Sequence, residues 1–174
     1  MTIQDKTKET LAALFEDVEM DPPPVAEPED DEKAEEAELP RHNGVLERDY
    51  GRKGFHLDVQ LEPDQLTEAV QLLFDLGYFL ESITGVDWIK AEQFEVVYDF
   101  SRYDFDLCRT VVRTRVDRLN PHLPTITPIY TGASWHEREA HDFFGIIFDG
   151  HPHLVPLLLP EDADFHPLLK DFKA

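Results

Sequence analysis

Four histidines, His136, His141, His151 and His153, fall within eighteen residues beside Glu137, Glu139 and Asp142. Side chains of these types could hold a divalent metal and activate water. The spacing argues against that chemistry. The string His136-Glu137-Arg138-Glu139-Ala140-His141 is close to the two-histidine pattern of a metalloprotease helix, but that pattern sets its histidines four residues apart on one face. Five apart, at roughly 100° per residue, the two rings diverge by about 140°, and one ion cannot easily be gripped by both. Surface or interface histidines are therefore the expectation. Cys108, the only cysteine, falls on the apolar parity of a strand and reads as a buried thiol. No Gly-x-Ser-x-Gly elbow occurs, and Gly51 and Gly54 match neither a phosphate loop nor a dinucleotide fingerprint.

Composition narrows the classes further. The chain has 174 residues, 41% hydrophobic, with 16 basic against 37 acidic side chains and a formal net charge of −21. Such a chain can bury a core, yet it is repelled by nucleic acid and by anionic lipid. Its longest apolar runs are too short to cross a bilayer. A single cysteine excludes a disulfide framework and a self-contained cysteine-ligated cluster. The N-terminus lacks a secretory or transit pattern, so a cytoplasmic location is expected.

The elements that must position these residues read as an α+β fold, a mostly antiparallel sheet with helices packed on one face. Phe55, Leu57, Val59 and Leu61 alternate with polar residues as a half-buried strand. Pro63 and Asp64 then open a helix whose stripe is Leu66, Ala69, Val70, Leu73 and Leu76, closed by Gly77. A strand over 78–88 follows, and then a hairpin that alternates Phe94, Val96, Tyr98 and Phe100 with Cys108, Thr110, Val112, Thr114 and Val116. On its outer face Glu95 and Asp99 can oppose Arg109, Arg113 and Arg115 as a salt ladder. A strand near 125–130 and a helix over 134–144 complete the domain, assigned to residues 54–149.

The two ends differ in kind. Residues 1–40 hold 3 basic and 14 acidic side chains. Leu11, Leu14, Phe15 and Val18 recur at helical spacing, so residues 1–20 contain an amphipathic segment, either a helix that docks on another subunit or a frayed tail. Residues 21–53 read as an acidic, Pro-rich linker, disordered over its first twenty positions. At the other end, residues 150–174 place seven large apolar side chains among Pro152, Pro156, Pro160 and Pro167, which block a long helix. An extended assembly arm lying on a partner is expected there. Arg138, flanked by Glu137 and Glu139 and four residues before Asp142, is expected to knit a carboxylate cluster.

At these residues the chain resembles the 30 kDa (C) subunit family of respiratory complex I (NADH-quinone oxidoreductase) and of the related energy-converting membrane hydrogenases. The matching positions are Trp135, Glu137, Arg138, Glu139, Asp142, Phe144, Gly145, Ile146, Phe148, Gly150, His151, Pro152 and Leu154, with Ile83-Thr-Gly-Val-Asp87-Trp88 and Phe94-Glu-Val-Val-Tyr98 upstream. The similarity runs over about 54–173. Where many members carry an arginine pair and Pro-Leu-Arg-Lys, this chain reads Val155-Pro156 and Pro167-Leu168-Leu169-Lys170, with Ala163 and Phe165 in place of the usual tryptophan and glycine. The resemblance implies a non-catalytic peripheral-arm subunit with no cofactor of its own, on the cytoplasmic side and at the membrane only through its complex. Its partners would be the large quinone-site or nickel–iron subunit and the iron–sulfur subunits, which hold the clusters. The implied interface is Trp135, Glu137, Arg138, Glu139, Asp142, Phe144, Gly145, His151, Pro152, Leu154, Pro167, Lys170 and Asp171. A nickel–iron hydrogenase or formate hydrogenlyase subunit is the nearest alternative; a metal-dependent hydrolase and an acidic binding module are more distant ones.

Overall fold

The computed structural model describes residues 2–15, 42–103 and 107–173. Helix α1 (Ile3–Ala12) starts at a capping box in which Thr2 accepts from the Asp5 amide while the Asp5 carboxylate accepts from the Thr2 amide. It runs into a 3₁₀ turn (Ala13–Phe15). Strand β1 (Gly44–Glu47), the short helix α2 (Tyr50–Lys53) and strand β2 (Leu57–Leu61) follow. A 3₁₀ turn (Pro63–Gln65) leads into α3 (Leu66–Asp75). Three long strands come next: β3 (Phe79–Trp88), β4 (Gln93–Arg102) and β5 (Cys108–Asp117). The chain ends with β6 (His122–Pro124), α4 (Ala133–Phe144), β7 (Ile147–Asp149) and an irregular tail over 150–173.

The main sheet has the order β1-β2-β5-β4-β3, parallel only between β2 and β5; β6 and β7 form a separate parallel pair. Period two decides its faces. Leu57, Val59, Leu61, Val96, Tyr98, Phe100, Cys108 and Val112 are buried against Leu66, Ala69, Val70 and Leu73 of α3 and Ala133 and Ala140 of α4. Helix α3 ends as its stripe requires: Gly77 is left-handed at φ 81°, with the Tyr78 amide bonded to the Leu73 carbonyl and the Gly77 amide to that of Phe74. Burial pushes the Cys108 thiol pKa up, as suits an inert core thiol.

The opposite face carries the charge ladder, with partners beyond those the hairpin alone implies. Glu95 meets Arg115 at 3.0 Å in register and Arg113 at 3.8 Å, as the hairpin implies, but the closer partner of Arg113 is Asp58 on β2 at 2.8 Å, and Arg109 reaches Glu81 on β3 at 2.8 Å. Asp99 instead accepts the Ser82 hydroxyl at 3.0 Å. Strand pairing within the hairpin could not reveal that β2 lies beside β5.

Three further expectations are corrected. Leu11 and Phe15 do not form a docking face: both are buried in the domain's own core, and Leu14 packs against it. Thr7 meets the Tyr78 hydroxyl at 2.8 Å, and the Gln65 amide donates to the Leu14 carbonyl at 3.0 Å. The physical reason is that α3 and α4 alone leave part of the sheet bare, so α1 covers it. Val18 and residues 21–41 lie outside the described residues. Linker character does not extend to residue 53, because β1 pairs with β2 and Asp49 caps α2. The strand expected near 125–130 lies earlier, at β6; residues 125–127 turn their hydrogen-bonding groups to a carboxylate of α4 instead.

Candidate functional site

Helix α4 carries the chain's unusual residues, and neighbouring positions on a helix point about 100° apart. Glu137, Arg138 and Glu139 therefore face three environments. Glu137 points inward and is fully buried. It accepts from the Ile126 amide at 2.7 Å, the Thr125 hydroxyl at 2.5 Å and the Thr127 hydroxyl at 3.0 Å. Burial raises its pKa against the pull of those donors. Arg138 does not bind the carboxylates beside it. Its Nε donates to the Val155 carbonyl at 2.9 Å and its Nη2 to the Pro156 carbonyl at 2.7 Å, while its guanidinium lies 5.3 Å from the Trp135 ring centre. Glu139 is exposed at the rim of a pocket.

Asp142 sits one turn after Arg138 and holds the other half of the same tail segment. Its Oδ2 accepts three successive amides, those of Leu157 at 2.8 Å, Leu158 at 2.7 Å and Leu159 at 3.2 Å. Burial opposes its charge, yet these donors keep its carboxyl below the usual range. Carbonyls at 155–156 thus go to the guanidinium and amides at 157–159 to the carboxylate. A proline-broken segment without regular pairing is satisfied by one arginine and one aspartate.

Three further histidines, His151, His141 and His166, bond groups around α4 and the tail. His151 Nδ1 accepts the His153 amide at 3.0 Å, which leaves the proton of the neutral ring on Nε2. That nitrogen lies 3.1 Å from the Ser134 hydroxyl and 3.9 Å from Glu137. His141 bonds the Ile146 carbonyl at 2.9 Å and His166 the Asp142 carbonyl at 2.8 Å. Among the described residues no group of three or more His, Cys, Asp or Glu is placed to hold a metal ion.

Two glycines permit close approach. A side chain on Gly145, the left-handed cap of α4 at φ 76°, would meet the His166 ring at 2.7 Å; one on Gly85 of β3 would meet Phe144 at 2.6 Å. Phe144 in turn packs edge-on to Phe94.

The far end of the tail is tied to the sheet. Asp87, on the apolar parity of β3 with its side chain 1% exposed, accepts Arg118 Nε at 3.0 Å, Arg118 Nη2 at 3.1 Å and the Lys170 amide at 2.9 Å. Arg118 also grips Asp171. Sequence reasoning missed the bonding of Asp87 to Arg118, the pair that seats this end of the tail; a charge among Ile83, Gly85 and Phe94 on a core face was the available signal.

The tail is therefore corrected from an arm extended on a partner to a strap folded on its own domain. Leu154 and Leu169 pack against the core, and the Leu168 amide donates to the Phe143 carbonyl. Pro152 is exposed and Pro167 half-buried. Yet Trp135 is 61% exposed, Leu158 62% and Leu168 52%, with Val155, Phe165 and Phe172 also exposed. The strap's backbone is held inward by polar groups, Leu154 and Leu169 turn to the core, and Val155, Leu158, Phe165, Leu168 and Phe172 point out.

Among the described residues no helix is long and apolar enough to cross a membrane. Residues 59–174 match the family described as the respiratory-chain NADH dehydrogenase 30 kDa subunit. The chain is 42% identical over 120 residues to the NADH-quinone oxidoreductase C subunit of Roseiflexus sp. (strain RS-1), covering 66% of this chain and 68% of that one. It is likewise 42% identical over 127 residues to NADH-quinone oxidoreductase subunit 5 of Thermus thermophilus, covering 67% and 61%. A solved trypsin-resistant fragment (1–134) of Nqo5 superposes with a TM-score of 0.52 at 36% identity, covering 56% of this chain and 82% of the fragment. A chain of the archaeal membrane-bound sulfane sulfur reductase superposes with a TM-score of 0.67 over 97% of this chain and 86% of its own, at 22% identity, which speaks for the fold alone. With the signature residues gathered on one helix and its strap, this chain belongs to the 30 kDa subunit family of respiratory-chain NADH dehydrogenases.

Proposed function

We propose that the chain is a cofactor-free structural subunit of the peripheral arm of a complex I-type NADH-quinone oxidoreductase, held at the cytoplasmic side of the membrane through its complex. In this reading it supports the subunit that shapes the quinone site, and electrons pass through iron–sulfur clusters in its neighbours. The observation that carries the reading is the set of exposed apolar side chains formed by Trp135 of α4 and by Val155, Leu158 and Leu168 of a strap already pinned by Arg138, Asp142 and Asp87. Apolar side chains on an ordered backbone dock without the entropy of ordering a loop. The relatives named above are NADH-quinone oxidoreductase subunits, so a place in a nickel–iron hydrogenase or formate hydrogenlyase is the less favoured reading.

The test is affinity capture of the tagged full chain from detergent-solubilised membranes, with mass spectrometry of the co-purifying subunits and iron analysis of the isolated chain. Recovery of iron–sulfur and quinone-site subunits together with an iron-free chain is the expected result. Stoichiometric iron or zinc in the isolated chain, or capture of hydrogenase subunits, would overturn it.

A further inference from the structure

A sheet with two edges must protect both from pairing with stray strands. The β1 edge is only four residues long, and Lys8 of α1 reaches Glu47 there at 2.6 Å. The β3 edge is ten residues long, contains neither Pro nor Lys, and has no neighbouring strand on its outer side among the described residues. Its ends are guarded. A register shift between Leu80 and Ser82 bends one end, and Asp87 at the other is occupied by Arg118 and the Lys170 amide. Residues 82–86 between them pair regularly with β4 and carry no such device.

That unguarded stretch coincides with a pocket of about 160 Å³. Ile83, Thr84 and Gly85 line one side, Ala140 and Phe143 of α4 another, and Leu168 of the strap closes an end. Glu139 stands at the rim and has no ion-pair partner among the described residues. Unpaired main-chain groups, an apolar hole and a lone carboxylate thus lie side by side. Together they fit one kind of occupant, an extended peptide.

We infer that residues 82–86 of β3 accept a short extended segment of a neighbouring subunit as a sixth strand. Side chains alternate along a strand, so the one entering the pocket and the one reaching Glu139 project from the same face two residues apart. The segment therefore carries an aliphatic residue and, two positions away, a Lys or Arg. Glu139 selects the cation, which is favoured as well by the net charge of −21 on this chain. The inference rests on the proposed place in a complex but goes beyond it, because a partner could cover the exposed apolar side chains without touching the β3 edge.

Amide hydrogen exchange on the intact complex and on the isolated full chain tests it. In the isolated chain every second amide of residues 82–86 exchanges freely, the others being bonded to β4. In the complex the free set slows by at least about tenfold. Glu139→Lys leaves the isolated chain's melting unchanged and weakens its incorporation about five- to tenfold. If the complex forms while those amides exchange as in the isolated chain, the strand-addition inference is wrong and the scaffold reading stands. If the isolated chain is a dimer with the same amides already protected, a second copy is the occupant and the inference is again wrong. Absence of any complex would remove both.

Discussion

Arg118 donates through Nε and Nη2 to the two carboxylate oxygens of Asp87, at 3.0 and 3.1 Å, and so joins the chain leaving β5 to the end of β3 on the apolar face of the sheet. This pair also seats the end of the strap, through the Lys170 amide and Asp171. Asp87→Ala would leave the Lys170 amide without its acceptor and the Arg118 guanidinium with Asp171 alone, and Arg118→Ala would leave a buried carboxylate with only the Lys170 amide. Loss of a buried partner costs roughly 3–5 kcal/mol, and the partial exposure of Arg118 reduces this to about 2–4 kcal/mol. Urea unfolding of each variant measures it; a change below about 0.5 kcal/mol would show the pair to be a solvated contact.

Asp142 controls the middle of the strap. Asp142→Ala deletes three amide bonds to one charged oxygen, and we expect a loss of about 2–4 kcal/mol together with faster proteolysis after residue 150. A chain ending at Gly150 loses the partners of Arg138 and Asp142 as well as Leu154 and Leu169, so its melting temperature falls. Unchanged melting of that shortened chain would mean that the strap contributes nothing to the fold.

Acid releases the strap. Asp142 and Asp171 both have folded pKa values below the ordinary 3.8, Asp142 through its three amides against burial, Asp171 chiefly through Arg118. A depressed carboxylate stabilises fully above its unfolded pKa and loses that contribution as pH falls through the folded value. Protease sensitivity of residues 150–173 should therefore rise below about pH 4, before the core unfolds. Glu137 has the opposite sign: its raised pKa makes it relatively more favourable as pH falls toward its unfolded value. Equal protease sensitivity at about pH 6 and about pH 3 would contradict the role given to Asp142.

Surface and core variants separate docking from folding. Leu158→Asp and Leu168→Asp change exposed side chains and should alter stability by less than about 0.5 kcal/mol while lowering recovery of the chain in its complex. Normal recovery of both variants would argue that the exposed apolar side chains are not the contact face.

Leu11→Ala and Phe15→Ala should each destabilise the isolated chain by about 2–5 kcal/mol, because both side chains are core. Variants that melt normally yet fail to assemble would restore the docking-helix reading.

Local pattern was enough wherever one element dictates its own conformation. The alternation from Phe94 to Phe100 and from Cys108 to Val116, the stripe from Leu66 to Leu73 and the glycine at 77 are short-range signals, and the corresponding strands, helix and cap are all present. The family was likewise legible, since Trp135 to Leu154 is a contiguous string. Partners were not. Arg138 and Asp142 looked like an ion pair because they are four residues apart, but each has a closer claimant in a tail that returns to α4. Arg113 pairs with Asp58 only because β2 lies parallel to β5 across a connection that contains α3, β3 and β4. Phe15 was ambiguous for the same reason: an amphipathic face shows that something covers it, and only the packed sheet shows that the cover is its own domain. Hydrophobic period and turn chemistry act over a few residues and are written in order along the chain; hydrogen-bond partners and burial depend on long-range return, which the tertiary structure alone decides.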